Sequence, residues 1–98
     1  MGMYYDYNIE NNKALKRDRG ISFDEIIAAI EGGKLLDIIK HPNKKYGQQK
    51  IYIVDIDNYA YLVPFVKTGN NIFLKTIFPS RKLTKVYFDK NDTGQENE

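Results

Sequence analysis

Four cations crowd the segment FLKTIFPSRKLTKVYF (73–88): Lys75, Arg81, Lys82 and Lys85. Arg81 and Lys85 are spaced i, i+4, so on a helix they stand on one face and repel each other by roughly a few tenths of a kcal/mol. A polyanion held against that face relieves the repulsion. A solvated helix end, with its cations set against its own dipole, tolerates it. Both readings stand on spacing alone. Lys75 sits two residues before Ile77 in a strand-like run, which places it on the face of Phe73 and Ile77. Burial of those two would leave Lys75 at a sheet rim with its ammonium reaching outward.

A second cluster is KHPNKKY (40–46). His41 reads as a turn residue before Pro42. It also has the chemistry of a general acid or base, because an imidazole titrates near neutrality, and Lys40, Lys44 and Lys45 beside it would hold a phosphate. Tyr46 and Tyr87 are the tyrosines nearest to basic residues, where an aromatic ring can stack on a nucleobase; ordinary packing is the alternative for each.

Other chemistries lack their parts. The chain has no GxxxxGK[ST] loop, no GxGxxG and no HExxH. With one histidine and no cysteine, a zinc site would have to be built mostly from carboxylates. No serine elbow accompanies His41. A disulfide framework is excluded outright.

The chain that must position these residues has 98 of them, enough for one small domain with a single modest core. Hydrophobic residues make up 42% and charged residues 29%, a globular composition. No apolar run reaches the roughly 18 residues that span a bilayer, and no charged-then-apolar leader opens the chain, so the cytoplasm is the expected location. The formal charge of +2 is unevenly spread. DKNDTGQENE (89–98) carries four carboxylates against Lys90, a net of −3, whereas residues 1–88 carry 14 basic and 9 acidic residues, a net of +5. We read residues 1–88 as the domain and 89–98 as an acidic, mobile tail.

The opening tyrosines, including Tyr4, Tyr5 and Tyr7, suit a short strand and an apolar contact patch. Asn8 is placed to cap a helix over 9–18, with Ile9, Ala14 and Leu15 inward and Gly20 ending it. Ser22 and Glu25 form a capping box, and Phe23, Ile26, Ile27 and Ile30 make one apolar stripe that stops at Gly32 and Gly33. LLDII (35–39) reads as a strand followed by a polar loop, NKKYGQQ, and IYIVDI (51–56), YAYLVPFV (59–66) and IFLKTIF (72–78) read as strands joined by short turns at Asp57-Asn58 and Gly69-Asn70-Asn71. Pro64 demands a bulge or an edge, and Pro79 with Ser80 starts a helix from Arg81 to about Phe88. The expected fold is α+β, with two N-terminal helices packed on one face of an antiparallel sheet of about four strands and a short C-terminal helix.

On these residues the chain resembles a known family. RGISFDEII (19–27) is similar to the HGISFEEA-type signature of BrnT-like toxins of bacterial type II toxin–antitoxin systems, and SRKLTKVY (80–87) is similar to that family's closing ARRAT block. The resemblance spans roughly residues 7 to 88. It implies a RelE-like fold, RNA cleavage that blocks translation without metal or cofactor, and a partner antitoxin of the ribbon-helix-helix class. Carried over by position, Arg81 and Lys82 match the paired arginines and Thr84 the threonine. Arg81 would clamp a phosphate through two guanidinium N–H groups, with Lys82 as a second cation and Lys75, Lys85, Lys44 and Lys45 along the RNA. Four positions depart: Tyr7 stands where many members have tryptophan, Asn11 where they have lysine, Arg19 where they have histidine, and Tyr87 where an acid is common. Tyr87 or His41 would then take the missing acid's place. A catalytically inactive module that binds RNA, or only its partner protein, is the alternative.

Overall fold

A computed structural model of the chain describes residues 4–46 and 49–88. The acidic tail, 89–98, lies outside the described residues, as does the side chain of Tyr46.

Ser22 starts the best-specified helix. Its hydroxyl accepts the Glu25 amide at 3.3 Å and donates to the Glu25 carboxylate, so α2 (Phe23–Glu31) begins where the capping box places it. Phe23 and Ile26 from its stripe are fully buried. Before it runs α1 (Ile9–Arg19), capped by the Asn8 side chain on the Asn11 amide and closed by Gly20 at φ +73°, a left-handed conformation that suits a residue without Cβ. Of the expected inward residues, Leu15 is buried and Ala14 half-buried, but Ile9 is exposed.

The strands are β1 (Tyr4–Tyr7), β2 (Leu35–Lys40), β3 (Lys50–Ile56), β4 (Tyr59–Thr68), β5 (Asn71–Leu74) and β6 (Phe78–Pro79), with α3 (Arg81–Phe88) at the end. The meander of β2 to β5 is antiparallel, as expected. Its β3–β4 turn is a two-residue hairpin in which Asp57 and Asn58 both adopt positive φ, the pairing that matches strand twist.

Three features correct the expected architecture. The sheet is mixed and six-stranded rather than antiparallel and four-stranded, because β1 pairs in parallel with the outer edge of β5. That edge would otherwise offer unpaired backbone groups, and the pairing turns Tyr5 and Tyr7 against the core while Tyr4 stays exposed. Next, the helices lie on both faces. Tyr52, Val54, Val63 and Phe65 join Leu15, Phe23 and Ile26 under α1 and α2, whereas Ile51, Ile53 and Ala60 are buried on the opposite side, where α3 lies against β4. The unbroken run IYIV is the signature of a strand covered on both faces. Finally, the expected strand 72–78 is two strands. The Pro64 carbonyl accepts the Lys75 amide at 2.8 Å, and its missing donor faces residues 75–77, where pairing with β4 lapses before β6 resumes it.

That lapse changes which side chains face out. Ile72, Leu74 and Ile77 are the buried residues of the segment, and Phe73 is exposed. Lys75 therefore shares a face with Phe73 but not with Ile77.

Candidate functional site

α3 is fastened at its first turn. The Ser80 hydroxyl accepts the Leu83 amide at 3.2 Å. The Thr84 hydroxyl donates to the Ser80 carbonyl at 2.7 Å and accepts the Ala60 amide of β4 at 2.8 Å. So fixed, α3 turns Leu83, Thr84, Tyr87 and Phe88 half-inward and leaves Arg81, Lys82, Lys85 and Val86 exposed.

The cations stand where their own helix disfavours them. Arg81 and Lys82 open the first turn of α3, at the positive end of its dipole; only Lys85 lies in the last turn. The notion of cations complementing their own dipole thus covers Lys85 alone. Among the described residues, the ion pairs are Lys16–Glu25, Arg17–Asp18 and Lys34–Asp55, and none engages Arg81, Lys82, Lys85, Lys75 or Lys44. Two exposed cations, neither in an ion pair among the described residues, thus stand side by side where α3 begins.

Cross-strand register carries this surface onto the sheet. Phe78 is paired with Leu62, and Phe73 with Val66. Both partners alternate with the core residues Val63 and Phe65, so Phe73 and Phe78 project on the side of α3. Lys75 follows on that side, its Nζ 5.5 Å from the Phe73 ring centroid. Sequence reading assigned Phe73 to the interior and passed over Phe78. The signal for them lay in Pro64, whose missing donor resets the alternation.

Tyr87 meets a carboxylate from a distant strand. Burial, and then the negative charge of the nearby Asp37 carboxylate, raise the Tyr87 pKa above the ordinary phenol value. Asp37 pairs with Ile53 on the α3 face of the sheet, which is why a residue of β2 reaches α3. A phenol with a raised pKa stays protonated and is a proton donor rather than a base. Asp37 was missed in the sequence, although a lone acid inside the apolar run LLDII was visible there.

His41, Lys44 and Lys45 lie on the β2–β3 connection. The His41 Nδ1 accepts the Asn43 amide at 3.2 Å, and the Asn43 side chain accepts the Lys45 amide at 2.9 Å. The loop is thus folded on itself through a 3-10 turn at Lys44–Tyr46. His41 is four residues along from Asp37, about 13 Å of extended strand, while α3 carries Arg81, Lys82 and Lys85 on its exposed side and Tyr87 on its half-buried side in the last turn.

The departures from the family pattern have structural partners. The Asn11 side-chain Nδ2 donates to the Lys75 carbonyl at 3.4 Å, and the Arg19 guanidinium donates to the Ile77 carbonyl; α1 thereby occupies backbone acceptors in the lapse between β5 and β6. Tyr7 stacks on Phe23 with centroids 5.0 Å apart and donates to Asp24 at 2.7 Å, a bond that raises its pKa, with burial adding to it.

Among the described residues, no group of three or more histidine and acidic side chains is arranged to hold a metal ion, and no helix is long and apolar enough to cross a membrane. Comparison of the chain with protein-family models, with characterised proteins and with solved structures finds no match.

Proposed function

We propose that this chain is the toxin of a type II toxin–antitoxin pair, a metal-independent endoribonuclease acting in the cytoplasm. The observation that carries the reading is the placement of Arg81 and Lys82, exposed and without an ion pair among the described residues, in the first turn of α3. Charges placed against their own dipole destabilise the free helix end slightly and are relieved by an anion. A phosphate of an RNA backbone supplies that anion, and the net charge of +5 on residues 1–88 favours its approach.

The chemistry needs an acceptor for the 2′-hydroxyl proton, cations for the phosphorane charge and a donor for the departing 5′-oxygen. As the 2′-oxygen–phosphorus bond forms and the bond to the 5′-oxygen breaks, Arg81 and Lys82 hold the phosphoryl oxygens. Tyr87, kept protonated, serves the leaving oxygen. Asp37 takes the acceptor's role that an acid on the last helix would otherwise fill. Lys75 and Lys85 extend the cationic surface along the strand of RNA, and Lys44 and Lys45 extend it on the loop side. The antitoxin, a ribbon-helix-helix protein, covers this surface when bound.

Induction of the chain in a bacterial host tests the reading. Growth arrest that disappears with Arg81→Ala, at equal soluble expression, is the expected outcome; arrest that persists would remove Arg81 from the mechanism. A specific observation favours a second reading. Tyr87 is a poor base in the position where an acid is common, so a chain that binds RNA or its partner without cutting is the alternative. It would show partner binding and no RNA cleavage at any protein concentration.

A further inference from the structure

Two phenylalanines stand exposed on the α3 side of the sheet, Phe73 by 37% and Phe78 by 40%. Each is paired with a residue of β4 that adjoins a core residue, Leu62 beside Val63 and Val66 beside Phe65, so their outward direction is fixed by register rather than by a loose loop. Their β4 partners, Val66 and Leu62, are four residues apart, which sets the two rings about 13 Å from each other along the strand direction. Lys75 lies between them in the chain with its ammonium against the Phe73 ring, and Arg81 and Lys82 follow Phe78 by three and four residues.

We propose that Phe73 and Phe78 are stacking platforms for two nucleobases of single-stranded RNA, with Lys75 and the start of α3 holding the phosphates beside them. The inference rests on the reading of this surface as an RNA site and names what that site recognises. Bases stacked on one another are about 3.4 Å apart, so rings separated by several times that distance serve bases splayed out of their stack. A duplex cannot present such bases. The occupant is therefore an unpaired strand, and the preference is for unpaired structure over particular sequence, since every base has a π-face.

Charge decides between RNA and an apolar helix of a partner protein as the occupant. The platforms are bordered by Lys75, Arg81 and Lys82, none in an ion pair among the described residues, and such a row of cations is matched by the regularly spaced phosphates of a nucleic acid, whereas an apolar helix supplies no anion for them. Asp6, paired with Phe73 on the neighbouring strand, repels phosphate, so the backbone must pass on the Lys75 side of the Phe73 ring. This orients the strand from β5 toward α3.

Binding of a fluorescently labelled oligouridine, compared with an abasic oligomer of equal length, tests the proposal on the full chain and on Phe73→Ala, Phe78→Ala, Phe73→Trp, Lys75→Ala and Arg81→Ala. Each alanine change at a phenylalanine should weaken oligouridine binding about tenfold and leave the abasic oligomer unaffected, while Phe73→Trp should retain affinity. Lys75→Ala should weaken both oligomers and lower the slope of affinity against salt by about 1. Unchanged affinity in both phenylalanine variants, with Arg81→Ala still defective, would overturn the stacking platforms and spare the RNA reading. No oligonucleotide binding by the unaltered chain would overturn both. Loss of binding to the ribbon-helix-helix partner in Phe73→Ala and Phe78→Ala, with RNA affinity intact, would reassign the face to protein docking and overturn the proposal.

Discussion

The Thr84 hydroxyl accepts the Ala60 amide at 2.8 Å, joining the first turn of α3 to a β4 residue that is wholly buried. One side chain thus fixes the helix that carries Arg81, Lys82 and Tyr87 to the sheet that carries Asp37. Thr84→Val removes the acceptor and leaves a buried N–H without a partner. The expected cost is about 1–3 kcal/mol in urea unfolding, with faster amide exchange confined to α3. Thr84→Ser keeps the hydroxyl and should recover most of the loss. An unchanged midpoint for the valine variant would show that α3 is held by its apolar residues alone.

How much of this was legible in the chain depends on how local the signal is. The capping box at Ser22 and Glu25, the Asp57–Asn58 turn and the start of α3 at Ser80 are set by neighbours in sequence, and they are where the residues place them. The pairing of β1 with β5 joins Tyr4 to Asn71, and no short-range pattern announces a partner so far away. The meeting of Tyr87 with Asp37 is hidden for the same reason. The second covered face was written in IYIV, a run with no polar alternation. The outward Phe73 follows from Pro64, on a different strand.

Arg19 should matter to the sheet more than to any ligand. Its guanidinium is hydrogen-bonded to the Ile77 carbonyl where β4 pairing lapses. Arg19→Ala leaves that acceptor short of a charged donor, with an expected loss of about 1.5–3 kcal/mol and increased exchange at residues 75–78. Equal stability would mean that water replaces the guanidinium without cost.

Alkaline pH should expose the buried tyrosine of β3. Tyr52 is 5% exposed and stacked on Phe65 at 3.9 Å. Burial, with smaller contributions from Tyr5, pushes its pKa from 10.0 up to about 12. The unfolded phenol ionises first, so the folded state holds the proton longer. Its stabilising effect is complete below pH 10 and is lost as the pH rises to about 12, a decline of about 2–3 kcal/mol. Denaturant unfolding across this range, with tyrosinate absorbance followed in parallel, checks it. Tyr52→Phe should flatten the decline; an identical decline in that variant would assign it to other tyrosines.

Asp37 and Tyr87 should fail together in catalysis and not in binding. Asp37→Asn and Tyr87→Phe each remove a proton-transfer group while keeping its shape. Each should slow RNA cleavage by about a hundredfold or more with oligonucleotide affinity unchanged. Because the two act as a pair, the double variant should be little worse than either single one. Full activity in Asp37→Asn would exclude it as the proton acceptor.

The most direct test of the central claim is cleavage of a single-stranded RNA by the purified chain in the presence of EDTA, beside Arg81→Ala and beside the same strand made of deoxynucleotides. The expected result is cleavage of the RNA by the unaltered chain, ending in 2′,3′-cyclic phosphates, with none by Arg81→Ala and none of the DNA. A folded chain that leaves the RNA intact, or an Arg81→Ala variant that cuts it equally well, would contradict an RNA-cleaving surface at the start of α3.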